Sequence, residues 1–325
     1  MRNLGKISET VLDRSVIKPI KQNKLGIKGA STGLDCAFLG GNGIATGYVA
    51  YSDTNSCRHA IIQACNNLWA QFVKPQIITL SISMPDSYRE IRLKEIMKQA
   101  CATAEEMDVK IVGGHTEYVC GLATPIISVT AMGEQLRKVE SFDSSDNLDI
   151  VMTKWMGISG TSILAKEKMD QLTTRLPSYY VKEAAGLDQF VSIAREAQIA
   201  IEQDGTKLMH DVAGGGIFAA IWEICGAFSG GCKVDLNNIP VLQETIEVAE
   251  FFDINPYRLR GDGSLLILSS NGSNLVQKLR EAEINATIIG HTCNNLDRLI
   301  IRDDETRFLE PGNGDELLSV LNKQI

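Results

Sequence analysis

The sequence predicts a two-domain protein of mixed α/β class. The chain has 325 residues, more than one domain usually holds, and 44% of them are hydrophobic, enough for two cores. From Tyr48 to Ala104, β-type runs (GYVAYS, QIITLSIS) alternate with helical stretches, as in a sheet covered by helices. The polar segment SFDSSDNL at 141–148 is typical of a domain junction, so we expect domains at 1–147 and 148–325.

Each half contains its own strands and helices. In the first half we expect helices from Arg58 to Phe72 and from Tyr88 to Met107, followed by strands at KIVGG and TPIISVTAMGE. In the second half, DIVMTK, KLMHDV, SLLILSS and ATIIG are typical of strands. Helices are expected at GISGTSILAKEK, over Asp188–Asp204, after the glycines of AGGGIFAAIWEICGAF, and over Asn274–Glu283.

The composition disfavours several classes of protein. A formal net charge of −8 argues against a nucleic-acid-binding protein, because phosphate neutralisation needs clustered Lys and Arg. The amino terminus lacks an apolar signal region, and no run approaches the roughly 18 to 20 apolar residues of a membrane helix, so a cytoplasmic location is expected. Eight cysteines without a CxxC pair favour reduced thiols over disulfides or structural zinc.

Two aspartates near the amino terminus are candidate metal ligands. Asp35 lies in STGLDCAFL and Asp53 in VAYSDTNS, each between apolar residues. A carboxylate beside a core is costly unless it is paired or bound to a cation, and hard oxygen ligands suit Mg²⁺. The alternative for Asp53 is an Asx turn that caps the following helix.

Asn66 and Asn67 lie within the apolar segment ACNNLWAQFVKP. Asparagine is a mediocre helix former, so two in succession indicate either a hydrogen-bonding role or an exposed turn of helix. The sequence leaves these two interpretations open.

The segment KIVGGHTEYV contains a second group of candidates. Gly113 and Gly114 would let backbone N–H groups approach a ligand, and Thr116 and Glu117 could bind a hydroxyl or a cation there, although a plain glycine turn has the same pattern. His115 fits a packed or turn histidine better than a catalytic base. Neither a Walker A motif nor GxGxxG is present, which disfavours P-loop kinases and Rossmann dehydrogenases.

The segment LMHDVAGGGIFAAIWEI is the most specific of the candidates. Glycines at 214–216 open an apolar helix, and unpaired N–H groups at a helix start form a natural anion site. Asp211 stands where it could hold a cation beside a phosphate, with Gly214 and Gly215 next to that phosphate.

Taken in order, these segments resemble the superfamily of aminoimidazole ribonucleotide (AIR) synthetase, selenophosphate synthetase, thiamin-monophosphate kinase and HypE. The resemblance runs from GKIS at 5–8 to about Ile301. STGLDCAFL resembles a GDDAA-type segment, ACNNLWAQFVKP an NDLxxxGAxP helix and IVGGHTE a GGDT or GGET segment. The GGHTE, MTK, GTSILA and MHD variants are most similar to the HypE-like branch, called AIR synthase-related.

The resemblance implies a two-domain AIR synthetase-like fold that binds ATP and Mg²⁺. Its amino-terminal sheet domains pair in a homodimer, and its carboxy-terminal domain is mixed α/β. The implied catalytic residues are Asp211 and Asp53. The implied nucleotide-binding residues are Asp35, Asp53, Thr54, Asn66, Asn67, Gly113, Gly114, Thr116, Gly214 and Gly215, and the implied metal ligands are Asp35, Asp53, Asn67, Asp211 and Glu117.

Several positions depart from the family pattern. Leu34 replaces one acid of GDDAA and Asn67 replaces the acid of NDL, which removes charge from the implied metal site; we expect weaker Mg²⁺ binding, with Glu117 as a hypothetical compensation. GDG at 261–263 replaces an SSG-like turn.

HypE acts through a carboxy-terminal cysteine, whereas this sequence ends at Ile325. Selenophosphate synthetase uses a cysteine near its amino terminus, and none precedes Cys36, so neither activity is expected.

The leading functional prediction is an ATP- and Mg²⁺-dependent, HypE-like enzyme that phosphorylates an amide, carbonyl or phosphate oxygen of a small acceptor. The alternative is a nucleotide-binding scaffold with reduced catalysis, which acts as a partner in hydrogenase-type metallocofactor maturation. Thiamin-monophosphate kinase activity is a third prediction, disfavoured by the GGHTE and MHDVAGGG segments.

Overall fold

The computed structural model describes residues 4–22, 33–138, 147–312 and 314–322. Two compact units are present. The amino-terminal unit comprises residues 35–137, and the carboxy-terminal unit combines residues 4–22, 33–34 and 138 with 147–312 and 314–322. This division differs from the predicted domains 1–147 and 148–325, because the first residues of the chain pack with the second half. Most of the predicted junction, residues 141–146, lies outside the described residues.

The chain begins with two short helices, α1 (Glu9–Leu12) and α2 (Lys18–Gln22), joined by a π-helical turn, Asp13–Ile17. The amino-terminal unit follows, with β1 (Ala37–Leu39), β2 (Asn42–Val49), α3 (Ser56–Trp69), β3 (Val73–Pro85), α4 (Glu90–Glu106), β4 (Lys110–Val119) and β5 (Ile126–Gln135). Its five strands form one sheet in the order β1-β2-β5-β3-β4. All neighbours are antiparallel except β3 and β4, which are parallel.

Helices α3 and α4 cover one face of this sheet. Alternate residues of β2 and β5, such as Val49 and Val129, are buried with Ile61 and Leu68 of α3. Burying each such side chain contributes about 1.5–3 kcal/mol. Gly47 permits the close approach of α3, since a Cβ there would lie 2.0 Å from the carbonyl oxygen of Ala60.

The opposite face of the sheet is open. Tyr48 of β2 is 51% exposed and Met132 of β5 is 36% exposed, and β4 is exposed along most of its length. Thr130 of β5 is paired with Thr46 of β2, and Ser81 of β3 is paired with Ser128 of β5. Paired residues share a face of the sheet, so these side chains also lie on the open face.

The carboxy-terminal unit contains the remaining elements. In chain order they are β6 (Asp149–Thr153), α5 (Ile158–Glu167), α6 (Met169–Leu172), α7 (Ser178–Gly186), α8 (Ala194–Ile201), β7 (Thr206–Val212), α9 (Gly216–Ala227), β8 (Gly231–Asp235), α10 (Gln243–Phe252), β9 (Ser264–Ser269), α11 (Gly272–Glu281), β10 (Ala286–Cys293), β11 (Arg298–Arg302), β12 (Glu305–Phe308) and α12 (Glu316–Leu321). Seven strands form a second sheet in the order β12-β11-β8-β10-β6-β9-β7. A core of Leu266, Leu268, Ile217 and Ile221 packs α9 against it.

The structure confirms the mixed α/β prediction and refines two of its elements. KIVGG is not the end of a strand before a glycine turn, because β4 continues through both glycines to Val119. The helix expected over Asp188–Asp204 is divided into a 3₁₀ turn, Leu187–Phe190, and α8. At the break between them, the carbonyl groups of Phe190 and Ser192 accept hydrogen bonds from the ammonium group of Lys154.

Within the described part of the chain, no helix is both long and apolar enough to cross a membrane.

Candidate functional site

Asp211 lies at the junction of β7 and the glycine-rich turn. It is the last residue but one of β7 and is 2% exposed, and α9 begins five residues later at Gly216. The positive end of a helix stabilises an anion such as phosphate, and a nearby carboxylate can bind the cation that accompanies it. The strand, turn and helix order predicted for LMHDVAGGGIF is therefore confirmed.

Two of the three glycines of this turn are required by the backbone conformation and by close packing. Gly215 and Gly216 have positive φ angles of 86° and 68°. A Cβ on Gly216 would lie 2.5 Å from the carbonyl oxygen of Tyr257, and one on Gly214 would lie 3.1 Å from Nη2 of Arg260. The turn is thus packed against residues 257–260, with a guanidinium group beside it.

Arg260 belongs to a buried cluster of charges that sequence reasoning missed. Its Nε lies 3.4 Å from Oδ2 of Asp315 and 3.7 Å from Oδ2 of Asp262, which also accepts a hydrogen bond from Ser159 at 2.7 Å. Burial raises the pKa of Asp315 above its ordinary value, although Arg260 opposes the shift. Asp262 is the acid of the GDG segment, which departs from the family pattern. Its carboxylate is held by Arg260 and Ser159.

A second buried ion pair joins the residue that follows β6 to α8. The ammonium group of Lys154 lies 2.6 Å from Oε1 of Glu196 and donates to the carbonyl oxygens of Phe190, Ser192 and Gly263. Burial lowers the pKa of Lys154 from its ordinary 10.5, although the attraction of Glu196 opposes this. The only sequence signal was a lysine directly after a buried strand.

His210, which precedes Asp211, is held by a third polar group. Its Nε2 lies 2.9 Å from Oε2 of Glu223 on α9, and both oxygens of Glu223 accept from Lys6 at 2.8 Å. The amino-terminal segment is thereby attached to the helix that follows the glycine-rich turn. Glu223 and Lys6 had not been singled out from the sequence, because they are 217 residues apart.

In the amino-terminal unit, Asp53 forms the Asx turn that the sequence left as an alternative. Its Oδ1 accepts from the backbone N–H of Asn55 at 2.8 Å, and its Oδ2 lies 2.5 Å from Nδ1 of His59. Asp53 and His59 are both 7% exposed. The Asp53 carboxylate is therefore fixed by two internal contacts, while the following residue, Thr54, is exposed.

Asn66 and Asn67 both belong to the regular part of α3. Asn66 is fully buried, whereas Asn67 donates from Nδ2 to the carbonyl oxygen of Thr46 at 3.0 Å. One turn earlier, Gln63 accepts from the backbone N–H of Tyr48 at 2.7 Å. β1 pairs with residues 42–44 of β2. Beyond the end of β1, the side chains of Gln63 and Asn67 therefore form the hydrogen bonds that backbone groups at this edge of β2 need.

This geometry predicts that Asn67→Asp destabilises the protein by about 0.5–1.5 kcal/mol, because a carboxylate cannot donate and would face the carbonyl oxygen of Thr46. Gln63→Glu is the matched control, since Gln63 accepts its hydrogen bond and a carboxylate can do the same. Urea unfolding of both variants measures the difference. Equal effects of the two changes would contradict the role assigned to Asn67.

The candidates in KIVGGHTEYV lie along the edge strand β4. A Cβ on Gly114 would lie 1.9 Å from the carbonyl oxygen of Leu80, so glycine is required there by pairing with β3, whereas Gly113 faces open space. Thr116 and Glu117 are exposed, and Nε2 of His115 lies 3.5 Å from Oε2 of Glu117.

The structure does not gather the predicted metal ligands of this unit into one cluster. β2, which precedes Asp53, and β4, which contains Glu117, are three strand spacings apart, about 14 Å. Asp53 and Asn67 lie at opposite ends of α3, about 16 Å apart along its axis. Asp35 is half-buried before β1, at the edge of the sheet opposite β4.

The fold and these segments define a two-domain protein of the AIR synthase type. Residues 47–135 match the model of the AIR synthase related protein, N-terminal domain, and residues 147–300 match that of the C-terminal domain. The chain therefore belongs to the AIR synthase related protein family.

Relatives and solved structures agree with this family. A candidate hydrogenase expression/formation protein of Methanocaldococcus jannaschii is 22% identical over 250 residues, 75% of this chain and 72% of that protein. Carbamoyl dehydratase HypE of Rhizobium leguminosarum bv. viciae is 23% identical over 67% of this chain, and the match spans 62% of the relative.

Two solved structures have the same fold. The structure of a HypE–HypF complex matches with a TM-score of 0.76 and 17% identity, covering 91% of this chain and 99% of the other. A structure of the hydrogenase maturation protein HypE in complex with ATP matches with a TM-score of 0.70 and 17% identity, covering 94% and 95%.

Proposed function

We propose that this protein is an ATP-dependent enzyme that phosphorylates, and so activates, an amide, carbonyl or phosphate oxygen of a small acceptor. The observation that carries the proposal is the buried Asp211 directly before the glycine-rich start of α9. A carboxylate and a helix start are the donors that a cation and a phosphate need. The relatives named carbamoyl dehydratase and the ATP complex of HypE support the same chemistry.

The chain's own residues supply positioning and charge. We assign Asp211 to the cation that accompanies the nucleotide phosphates, and the N–H groups at the start of α9 to a phosphate oxygen. Mg²⁺, when bound, would neutralise charge on the phosphates during transfer. His210 is fixed by Glu223, which holds the end of β7 in one orientation. Among the other predicted residues, Asp53 already has internal contacts at both of its carboxylate oxygens.

A thermal-shift titration with ATP tests the proposal, because a ligand that binds only the folded state raises the melting temperature. We expect a shift with ATP that increases with Mg²⁺, and formation of ADP when a carbamoyl-containing acceptor is added. No shift with ATP at millimolar concentration, with or without Mg²⁺, would reject nucleotide binding.

A second candidate function is a nucleotide-binding partner in hydrogenase maturation that has lost turnover. The family pattern has acids at positions 53 and 67. Here the Asp53 carboxylate has internal contacts and Asn67 forms a structural hydrogen bond, which favours this second candidate. A relative named for hydrogenase formation and the solved HypE–HypF complex support a maturation protein as the partner. ATP binding without ADP formation across a panel of acceptors is the outcome expected of this candidate.

We also propose a homodimer that forms through the open face of the five-stranded sheet. The exposed Tyr48 and Met132 of the inner strands support this, because a soluble sheet rarely leaves such a face uncovered. Sedimentation equilibrium of the protein and of Met132→Lys tests it. A monomer in the wild type would reject the proposal, and a dimer that dissociates in the variant would agree with it.

A further inference from the structure

The carboxy-terminal unit contains a cavity of about 240 Å³ between the amino-terminal segment and α9. Its apolar walls include Leu12 from α1, Ala219 and Trp222 from α9, and Pro311. An apolar cavity of about 150 Å³ is enough to hold benzene. The cavity therefore has room for one ring with a short polar substituent.

Three charged side chains, Lys6, Glu9 and Glu223, line the same cavity. Glu9 accepts a hydrogen bond at Oε2 from the indole Nε1 of Trp222 at 2.8 Å. Glu223 is held at 2.8 Å by the ammonium group of Lys6 and at 2.9 Å by Nε2 of His210. The polar side of the cavity is thus oriented by contacts within the protein before any ligand enters, which lowers the entropic cost of binding.

The charge balance of the lining favours a cationic ligand. Lys6 and Glu223 neutralise each other as an ion pair, and Glu9 has no ion pair among the described residues. Arg298 stacks on the indole of Trp222, with its Cζ 3.9 Å from the ring centroid, but it is not one of the described lining residues. Among the lining residues, Glu9 is therefore the carboxylate whose charge a ligand could balance.

We propose that this cavity is a binding site for a small molecule with an apolar body about the size of one ring and a protonated amine or amidine nitrogen. The ring would lie against Leu12 and Trp222, and the nitrogen would donate to Glu9. The site lies within one unit, and its existence does not depend on the proposed ATP-dependent reaction.

Three isosteric probes separate shape from charge: benzamidine, benzamide and benzoate. Binding is followed through the indole ¹H–¹⁵N signal of Trp222, assigned with Trp222→Phe, and by titration calorimetry on the whole protein. We expect benzamidine to shift this signal with an affinity about tenfold higher than that of benzamide, and benzoate to have no effect. A tenfold ratio corresponds to about 1.4 kcal/mol for the charged contact.

Glu9→Gln keeps an acceptor for Trp222 and removes the charge, so it is expected to make the affinities for benzamidine and benzamide equal. Glu105→Gln, at an exposed position of the other unit, is the matched control and should preserve the preference. Leu12→Trp should abolish binding of all probes by filling the cavity, with an unchanged melting temperature as the folding check. Absence of any Trp222 shift with benzamidine at millimolar concentration, or an unchanged preference in Glu9→Gln, would overturn the proposal.

Discussion

Replacing Asp211 by asparagine is expected to reduce ATP-dependent turnover at least about 100-fold while the protein stays folded. Asp211 is 2% exposed, and asparagine has almost the same shape, so packing at the end of β7 is preserved. The change removes the negative charge that we assign to the cation beside the phosphates. Loss of turnover with an unchanged fold is therefore the signature of a functional carboxylate.

Formation of ADP, measured with a coupled assay at saturating ATP, provides the turnover value for this comparison. Thermal denaturation without nucleotide establishes that the variant is folded, and Asp170→Asn, at an exposed position of α6, is the matched control. If the folded variant turns over ATP at the wild-type rate, Asp211 has no part in the mechanism. If it also loses the Mg²⁺-dependent thermal shift, the carboxylate acts in binding as well as in catalysis.

The largest expected change in stability follows from Lys154→Met. The substitution leaves Glu196 charged in a site where its side chain is 2% exposed, and it removes the donor for three backbone carbonyl groups. Breaking a buried ion pair in this way costs about 3–5 kcal/mol. The segment between Phe190 and Ser192 should loosen first, because its carbonyl groups lose their partner.

Urea unfolding measures this loss, with Lys94→Met as the control at an exposed ion pair to Glu90, where about 0.5 kcal/mol is expected. The double variant Lys154→Met/Glu196→Leu should be more stable than Lys154→Met alone, since no unpaired charge remains. A double variant less stable than Lys154→Met would show that Glu196 has another buried partner.

The same pair predicts a dependence on pH. Folding lowers the pKa of Lys154 below 10.5, so between the folded and unfolded values the unfolded chain binds more protons. The stability of the wild type relative to Lys154→Met should therefore increase as the pH rises towards 10.5, and this increment is lost as the pH falls through the folded value.

The family segments were recognisable because their chemistry is local. The strand, Asp211 and glycine order of LMHDVAGGGIF gave the correct elements, since a strand ending, a tight turn and a helix start each depend on neighbouring residues. The alternatives for Asp53 could not be separated in the same way. An Asx turn needs only the next two residues, but the contact with His59 depends on the phase of the helix that follows.

Hydrophobic periodicity and turn residues act over short stretches of chain, so the mixed α/β class, the position of most strands and helices, and the family could be predicted from the residues alone. Which polar side chains meet depends on tertiary packing. Lys154 contacts residues up to 109 positions away, and Lys6 pairs with Glu223 at a separation of 217. The same holds for the packing of the amino-terminal segment with the carboxy-terminal unit. Such pairs depend on how whole elements pack, and local periodicity contains no information about the partner of a buried charge.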